Sequence, residues 1–404
     1  MKPVRLVLSA VLSLAPLASG CGAQADPGLV ISSDPELRRM ATELLPDLAL
    51  RSGMELRAPV RLEARSREQL ADYLMSKLDE DLPEAEAVAR VQAYALLGLV
   101  PTDLDLRELL LSLYGEQVAG FYEPDSTALY VLDDQPPDAL QALLVHELVH
   151  AVQDQSTDLR YLTDPADGND RSTAAMAAIE GHATLVMFEY LMEQMTGSPV
   201  DLGAIPDFAG QVGPALQSMT AQFPALAGAP RVVRESLIFP YVDGAGFVQR
   251  LWTGTSRGDP FGDALPLSTE QVLSPGAAPP VSLRLDVEGG RRRLDDTLGM
   301  LELRILVEDV LDIAPAAAGE LVAGWDGDRW VLAERDDGET SLSYAVVWES
   351  EGARDRFVDA VHAGAAAFAG PVSVESFDVG GRAASMLTIG ATGVLVSAAV
   401  VPGG

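Results

Sequence analysis

The sequence predicts an α+β protein: a mainly helical domain that carries a small β-hairpin or sheet, followed by a small α+β C-terminal domain. Three observations lead there. Helical apolar spacing dominates from Asp34 to about Leu111 and returns in two long stretches up to Met187. Strand-like residues occur early only in short segments, then gather after Trp330. Between these regions Ser274-Pro275-Gly276-Ala277-Ala278-Pro279-Pro280 reads as a linker. The boundaries that follow are 34–280 for the first domain and 281–404 for the second, within a chain of 404 residues that has room for two or three cores.

In chain order, Asp34-Pro35-Glu36 is a helix start, with a capping aspartate ahead of proline in the first turn. Pro59 to Ala64 alternates and predicts a strand, and Ser66 opens the next helix. Helices are expected from about Glu84 to Leu97 and from Asp105 to Tyr114. Gly115 to Tyr122 and Ala128 to Leu132, joined by Glu123-Pro124-Asp125-Ser126, suit two strands of a hairpin. Asp138 is placed to cap a helix that meets no proline or glycine as far as Asp154. A further helix covers Ala174 to Met187, and another is expected around Gly244 to Trp252. Beyond the linker the expectations are a helix from Leu294 to Leu311, a hairpin of Trp330–Glu334 and Ser341–Trp348, a helix from Ala353 to Phe368, and strands at 372–377, 383–389 and 394–400.

Composition narrows the function. The chain is 48% hydrophobic and 22% charged, an ordinary globular balance. Its 60 acidic against 28 basic residues give a formal charge of −32, which repels nucleic acid and excludes it as a partner. At the N-terminus Lys2 and Arg5 precede an apolar stretch from Leu6 to Leu17 that is too short to span a bilayer. Leu17-Ala18-Ser19-Gly20 then leads into Cys21, which resembles a bacterial lipobox. Residues 1–21 are therefore expected to be a lipoprotein signal peptide, with Cys21 acylated, 22–33 a tether, and the mature protein extracytoplasmic and anchored to a membrane by lipid alone. Cys21 is also the sole cysteine, so no disulfide or thiolate metal site can form within one chain.

The chemistry concentrates in His146-Glu147-Leu148-Val149-His150. On a helix the two histidines stand one turn apart on one face with Glu147 beside them, the geometry of a zinc site with a general base. The chain has only four histidines, so this spacing around a glutamate is informative. Its helix is apolar nearly all round and hence buried, where such side chains need a cation for compensation. Zinc then needs a third protein ligand. A downstream histidine scheme would require glycine at 153 and histidine at 156, but the chain has Gln153 and Ser156. Glu180, on the following helix behind a run of small residues, is the preferred ligand. His182 competes, although positions 180 and 182 point about 200° apart on a helix. Asp154, one turn past His150, is a candidate to orient that imidazole. Tyr241 and His182 are candidate transition-state donors, with Tyr122 and Tyr130 weaker ones.

The stretch from His146 to Asp154, with Glu180 downstream, resembles the active-site helices of the gluzincins, the thermolysin-like zinc metallopeptidases. A wider pattern adds Gly120-Phe121-Tyr122-Glu123-Pro124 and Glu180-Gly181-His182-Ala183-Thr184-Leu185-Val186-Met187, and is similar to a group of uncharacterised bacterial zincin-like proteins, often lipoproteins. That group carries Asp or Glu where this chain has His182, and thermolysin-like enzymes carry Asp where it has Thr184. The resemblance implies a zincin-like first domain and a Zn2+ ion on His146, His150 and Glu180. It also implies that Glu147 is the base for hydrolysis of a peptide or protein substrate, which in zinc peptidases commonly adds as a strand to a sheet edge near the metal. The competing expectation is an envelope lipoprotein that keeps this fold in a structural or assembly role without proteolysis.

Overall fold

The computed structural model describes residues 7–10, 28–164, 167–207, 210–211, 213–214, 223–253 and 256–401. Cys21 and most of the segment read as signal peptide and tether lie outside the described residues, which in that segment are 7–10 and 28–33. Within that segment Val7–Ala10 is a short strand, β1.

The first sheet is mixed. It contains β1, β2 (Val30–Ile31), β3 (Val60–Arg65), β4 (Val118–Glu123) and β5 (Ala128–Leu132), in the order β1-β4-β5-β3-β2. β4 and β5 form the expected antiparallel hairpin, β3 runs parallel to β5, and β1 pairs antiparallel with the outer edge of β4. Both hairpin strands are buried on both faces.

Helices surround this sheet. α1 (Pro35–Ser52) is capped by Asp34, whose carboxylate accepts from Glu36 N and Leu37 N, and it stops at Gly53, whose φ of 70° is left-handed. α2 (Arg67–Asp81) starts from a reciprocal Ser66/Gln69 box. α3 (Glu84–Leu96) and α4 (Leu106–Gln117) follow. α5 (Pro137–Ser156) carries the His-Glu motif and begins at Pro137, so Asp138 falls inside its first turn and Pro136 takes the cap position. It lies close on the hairpin: a Cβ at Gly120 would meet Leu143 Cδ2 at 2.9 Å and Tyr130 O at 2.7 Å. α6 (Asn169–Thr196) is 28 residues long and starts five residues before Ala174. α7 (Arg231–Leu251) extends much further back than expected and contains Pro240. No helix among the described residues is long and apolar enough to cross a membrane.

The C-terminal part is β-rich, completing the α+β class. β6 (Leu283–Glu288) pairs with β12 (Leu395–Val400). β7 (Arg291–Asp296), β8 (Trp325–Glu334), β9 (Thr340–Trp348), β10 (Val372–Val379) and β11 (Arg382–Gly390) make an antiparallel sheet in the order β10-β11-β9-β8-β7. α8 (Gly299–Asp309), α9 (Pro315–Val322) and α10 (Glu351–Gly364) complete it. One expectation is corrected here. Leu294 to Asp296 is strand, not helix, because Arg291 and Arg293 pair across the ladder with Glu334. The helix begins only at Gly299, whose φ of 69° ends the extended segment.

The main hydrophobic core is continuous from Val30 to Ile389 and so passes across the linker-like stretch. Buried polar contacts fasten the same junction. Arg90 of α3 donates to Asp296, and Asp296 accepts from Asn169 N at the start of α6. Tyr94 donates to Glu302 at 2.5 Å. Asp170 accepts from both Thr269 N and Thr269 Oγ1, while Asp328 gathers Leu298 N, Gly299 N, the Trp325 indole and the Tyr344 hydroxyl. Burial raises Asp170 to about 7, and the Asp328 and Glu302 charges push the same way. Burial likewise raises Asp328 to about 6 despite its donors.

The raised Asp170 has a testable sign. A carboxyl whose folded pKa exceeds the unfolded value near 3.9 stabilises the fold when protonated, and that contribution is lost as pH rises from there through about 7. Asp170→Asn keeps the Oδ1 acceptor for Thr269 and cannot ionise. Relative to wild type, it is expected to gain on the order of 2 kcal/mol of stability between about pH 5 and about pH 8 in denaturant titrations. Equal pH dependence of the two proteins would contradict this placement.

Candidate metal centre

α5 and α6 bring the chemistry together because both are apolar on nearly every side. Leu143, Leu144, Val145, Leu148, Val149, Ala151 and Val152 surround the motif and are buried. On α6 every residue from Ala177 to Leu191 is buried. Burial drives the two helices into the centre of the molecule and takes the polar residues along.

His146, His150 and Glu180 meet there, with one ligand atom from each lying within 4.8 Å of the others. His146 Nε2 is 3.0 Å from Glu180 Oε2. His150 Nε2 is 3.4 Å from the same oxygen but lacks hydrogen-bond geometry, and Glu180 Oε1 also has no hydrogen-bond partner. Glu147, His150 and Glu180 are fully buried, and His146 is 4% exposed. Two imidazole nitrogens and a carboxylate, converging with unmatched buried atoms, form a donor set suited to Zn2+. Metal binding by this His-His-Glu trio is what the geometry supports directly.

The electrostatics agree. Burial pushes His146 below the usual imidazole range. Burial also opposes charge on His150, but Glu180 beside it outweighs that and raises the ring. Burial alone would raise Glu180, yet the His150 and His146 rings hold it at about 2. The trio thus keeps an anion next to two nitrogen bases, a setting in which a metal ion displaces a proton.

The third long helix, α7, closes the site through two glycines. A Cβ on Gly181 would lie 2.1 Å from Gly244 C, and one on Gly244 would lie 2.2 Å from Ala177 O. This backbone contact sets Tyr241, three residues before Gly244, against the trio. Its ring centre is 6.2 Å from that of His146, with the two rings tilted by 33°. Burial and the Glu180 and Glu147 charges push its phenol well above the ordinary range.

The other residues singled out from the sequence fall elsewhere. His182 points away from the trio, as helical geometry requires. Its Nε2 is 3.1 Å from Ser52 O, and its ring is held edge-on against Trp252 and Phe261. Burial lowers it to about 4. Asp154 does not reach His150. It accepts from the Tyr122 hydroxyl at 2.8 Å and from Leu159 N, at the far end of the helix. The Tyr130 hydroxyl donates to Ser126. Thr184 is buried, and its hydroxyl has no hydrogen-bond partner.

The residue that does hold His150 is Gln153, whose Oε1 is 2.8 Å from Nδ1. In the sequence it served only to exclude a third histidine. Its position one turn after His150, polar within an apolar helix, was the available signal.

Comparisons with known proteins touch only the C-terminal part. Residues 286–399 match the family model of a domain of unknown function, DUF8575. That match includes none of the trio. No curated protein and no solved structure matches the chain.

The Gly181/Gly244 contact predicts that Gly244→Ala must force α7 and α6 apart. The expected cost is about 1–3 kcal/mol of stability, with a parallel loss of zinc affinity because Tyr241 and Glu180 separate. Thermal unfolding and zinc titration of the variant check both effects, and wild-type values in each would contradict the constraint.

Proposed function

We propose that the chain is a zinc-dependent metallopeptidase of gluzincin type, anchored through a lipid on Cys21 at the extracytoplasmic face of a bacterial membrane. The observation that carries this reading is the buried His146–His150–Glu180 trio with Glu147 in the intervening motif. A site built only to hold a metal has no use for a further carboxylate at that position. Bound zinc supplies Lewis acidity toward a carbonyl and toward water. Glu147 takes the proton of the attacking water and returns it to the departing amine. Tyr241, whose ring lies beside that of His146, offers a hydroxyl to the oxygen on which negative charge develops.

The sheet supports an extended peptide as the substrate. β4 lies against α5, and its outer edge takes an antiparallel strand, Val7–Ala10, with Val7 opposite Tyr122. An extended peptide fits the same backbone edge.

A second reading is favoured by one observation, the nearly complete burial of the trio and of Glu147. In that reading zinc stabilises an envelope module and no peptide is cut.

Metal analysis of the purified full chain paired with Glu147→Gln separates the two. Peptidase function predicts about one zinc per chain in both proteins and loss of casein or peptide cleavage in the variant. Zinc without any cleavage supports the structural module, and cleavage that survives Glu147→Gln overturns the assigned base.

A further inference from the structure

Behind His150 lies a chain of hydrogen bonds whose direction is fixed by two backbone carbonyls. The first is Ser52 O, at the C-terminal end of α1. A carbonyl only accepts, so His182 Nε2, 3.1 Å away, carries a proton. The second is Ile179 O on α6. Gln153 Nε2 donates to it at 3.0 Å, so the NH2 end of that amide faces α6. The same Nε2 is 3.0 Å from His182 Nδ1, which must therefore accept. With its amino end committed, Gln153 turns its oxygen toward His150 Nδ1 at 2.8 Å. His150 consequently holds its proton on Nδ1 and leaves the lone pair on Nε2, the nitrogen nearest Glu180.

We infer that Gln153 and His182 form a tautomer-setting relay, running from the Ser52 and Ile179 carbonyls to His150, that aims the His150 Nε2 lone pair at the metal. His182 is then a positioning residue rather than a ligand or a transition-state donor. The proposal rests on the metal-site reading above. It accounts for a histidine at 182: the residue there must accept from an amide N–H at one end and donate to a carbonyl at the other, which neutral imidazole does and a carboxylate does not. Trp252 and Phe261, edge-on at 6.0 and 6.2 Å between ring centres, keep the ring in this line. The relay also explains the lack of a carboxylate behind this ligand. A neutral amide fixes the imidazole as a carboxylate would, without adding an unpaired charge to a fully buried site.

The test reads protonation of ring nitrogens by side-chain 15N NMR of the full chain, zinc-free at mildly alkaline pH and zinc-loaded. Zinc affinity is measured alongside by competition with a chelator. In wild type His182 is expected as the Nε2–H form and His150 as the Nδ1–H form in both states. Gln153→Leu and His182→Phe are expected to lower zinc affinity by about 10–100-fold while circular dichroism stays native. Gln153→Glu keeps an acceptor for His150 and is expected to restore affinity to the wild-type range. It should also shift the His182 ring-nitrogen signals, because a carboxylate cannot donate to Nδ1 as the amide N–H of Gln153 does. A loss caused by packing alone would not produce that signature. Zinc bound to wild type with the His150 proton on Nε2, or unchanged affinity in both folded variants, overturns the relay alone. Absence of zinc on the wild type overturns the metal reading and the relay with it. Should either variant fail to fold, the wild-type tautomers decide.

Discussion

Removing several ionisable side chains from water inside an apolar helix pair is the constraint on which this structure turns. Each buried ion costs several kcal/mol unless something of opposite sign meets it. The chain contributes Glu180 toward two imidazoles and places Glu147 in the same buried motif, with all four side chains fully or almost fully removed from solvent. A divalent cation resolves that imbalance, since it accepts two nitrogen lone pairs and a carboxylate at once. Around this requirement the helices are packed with little tolerance. Gly120 lets α5 settle on the hairpin, and Gly181 with Gly244 lets α7 touch α6 at backbone distance. Larger residues at any of the three would move a ligand or the tyrosine before they disturbed the surface.

A second set of buried polar groups does different work. Asp170, Asp296, Glu302 and Asp328 tie the start of α6 to α8 and to the C-terminal sheet through backbone and hydroxyl donors. α6 is therefore held at both ends of its buried run: by the junction near Asp170 and by the glycine crossing near Gly181. The DUF8575-matching segment is in this sense part of what positions Glu180, because its loops receive the first turn of the helix that carries it.

Much of the centre was legible because it is local. The four-residue spacing of the histidines, the unbroken apolar run around them and a glutamate on the next helix are all properties of sequence periodicity. The fold class was legible for the same reason. What escaped depends on segments far apart in the chain. Gln153 gains its role only where Ser52, Ile179 and His182 converge, and Asp154 was drawn to Tyr122 on a strand that sequence could place but not orient. β7 escaped because the sequence does not show that Glu334 stands opposite Arg291 and Arg293, the pairing that carries the ladder on through Leu294 to Asp296. The Pro/Gly stretch at 274–280 marks a chain turn, while the core on either side is shared.

The central claim is a cation held by two imidazoles and one carboxylate. X-ray absorption at the zinc edge, on the full chain purified without chelators, addresses it directly. The account predicts two nitrogen scatterers at about 2.0–2.1 Å, oxygen at about 2.0–2.2 Å and no sulfur. A protein that retains no zinc, or one whose zinc lacks the imidazole scattering, would contradict it.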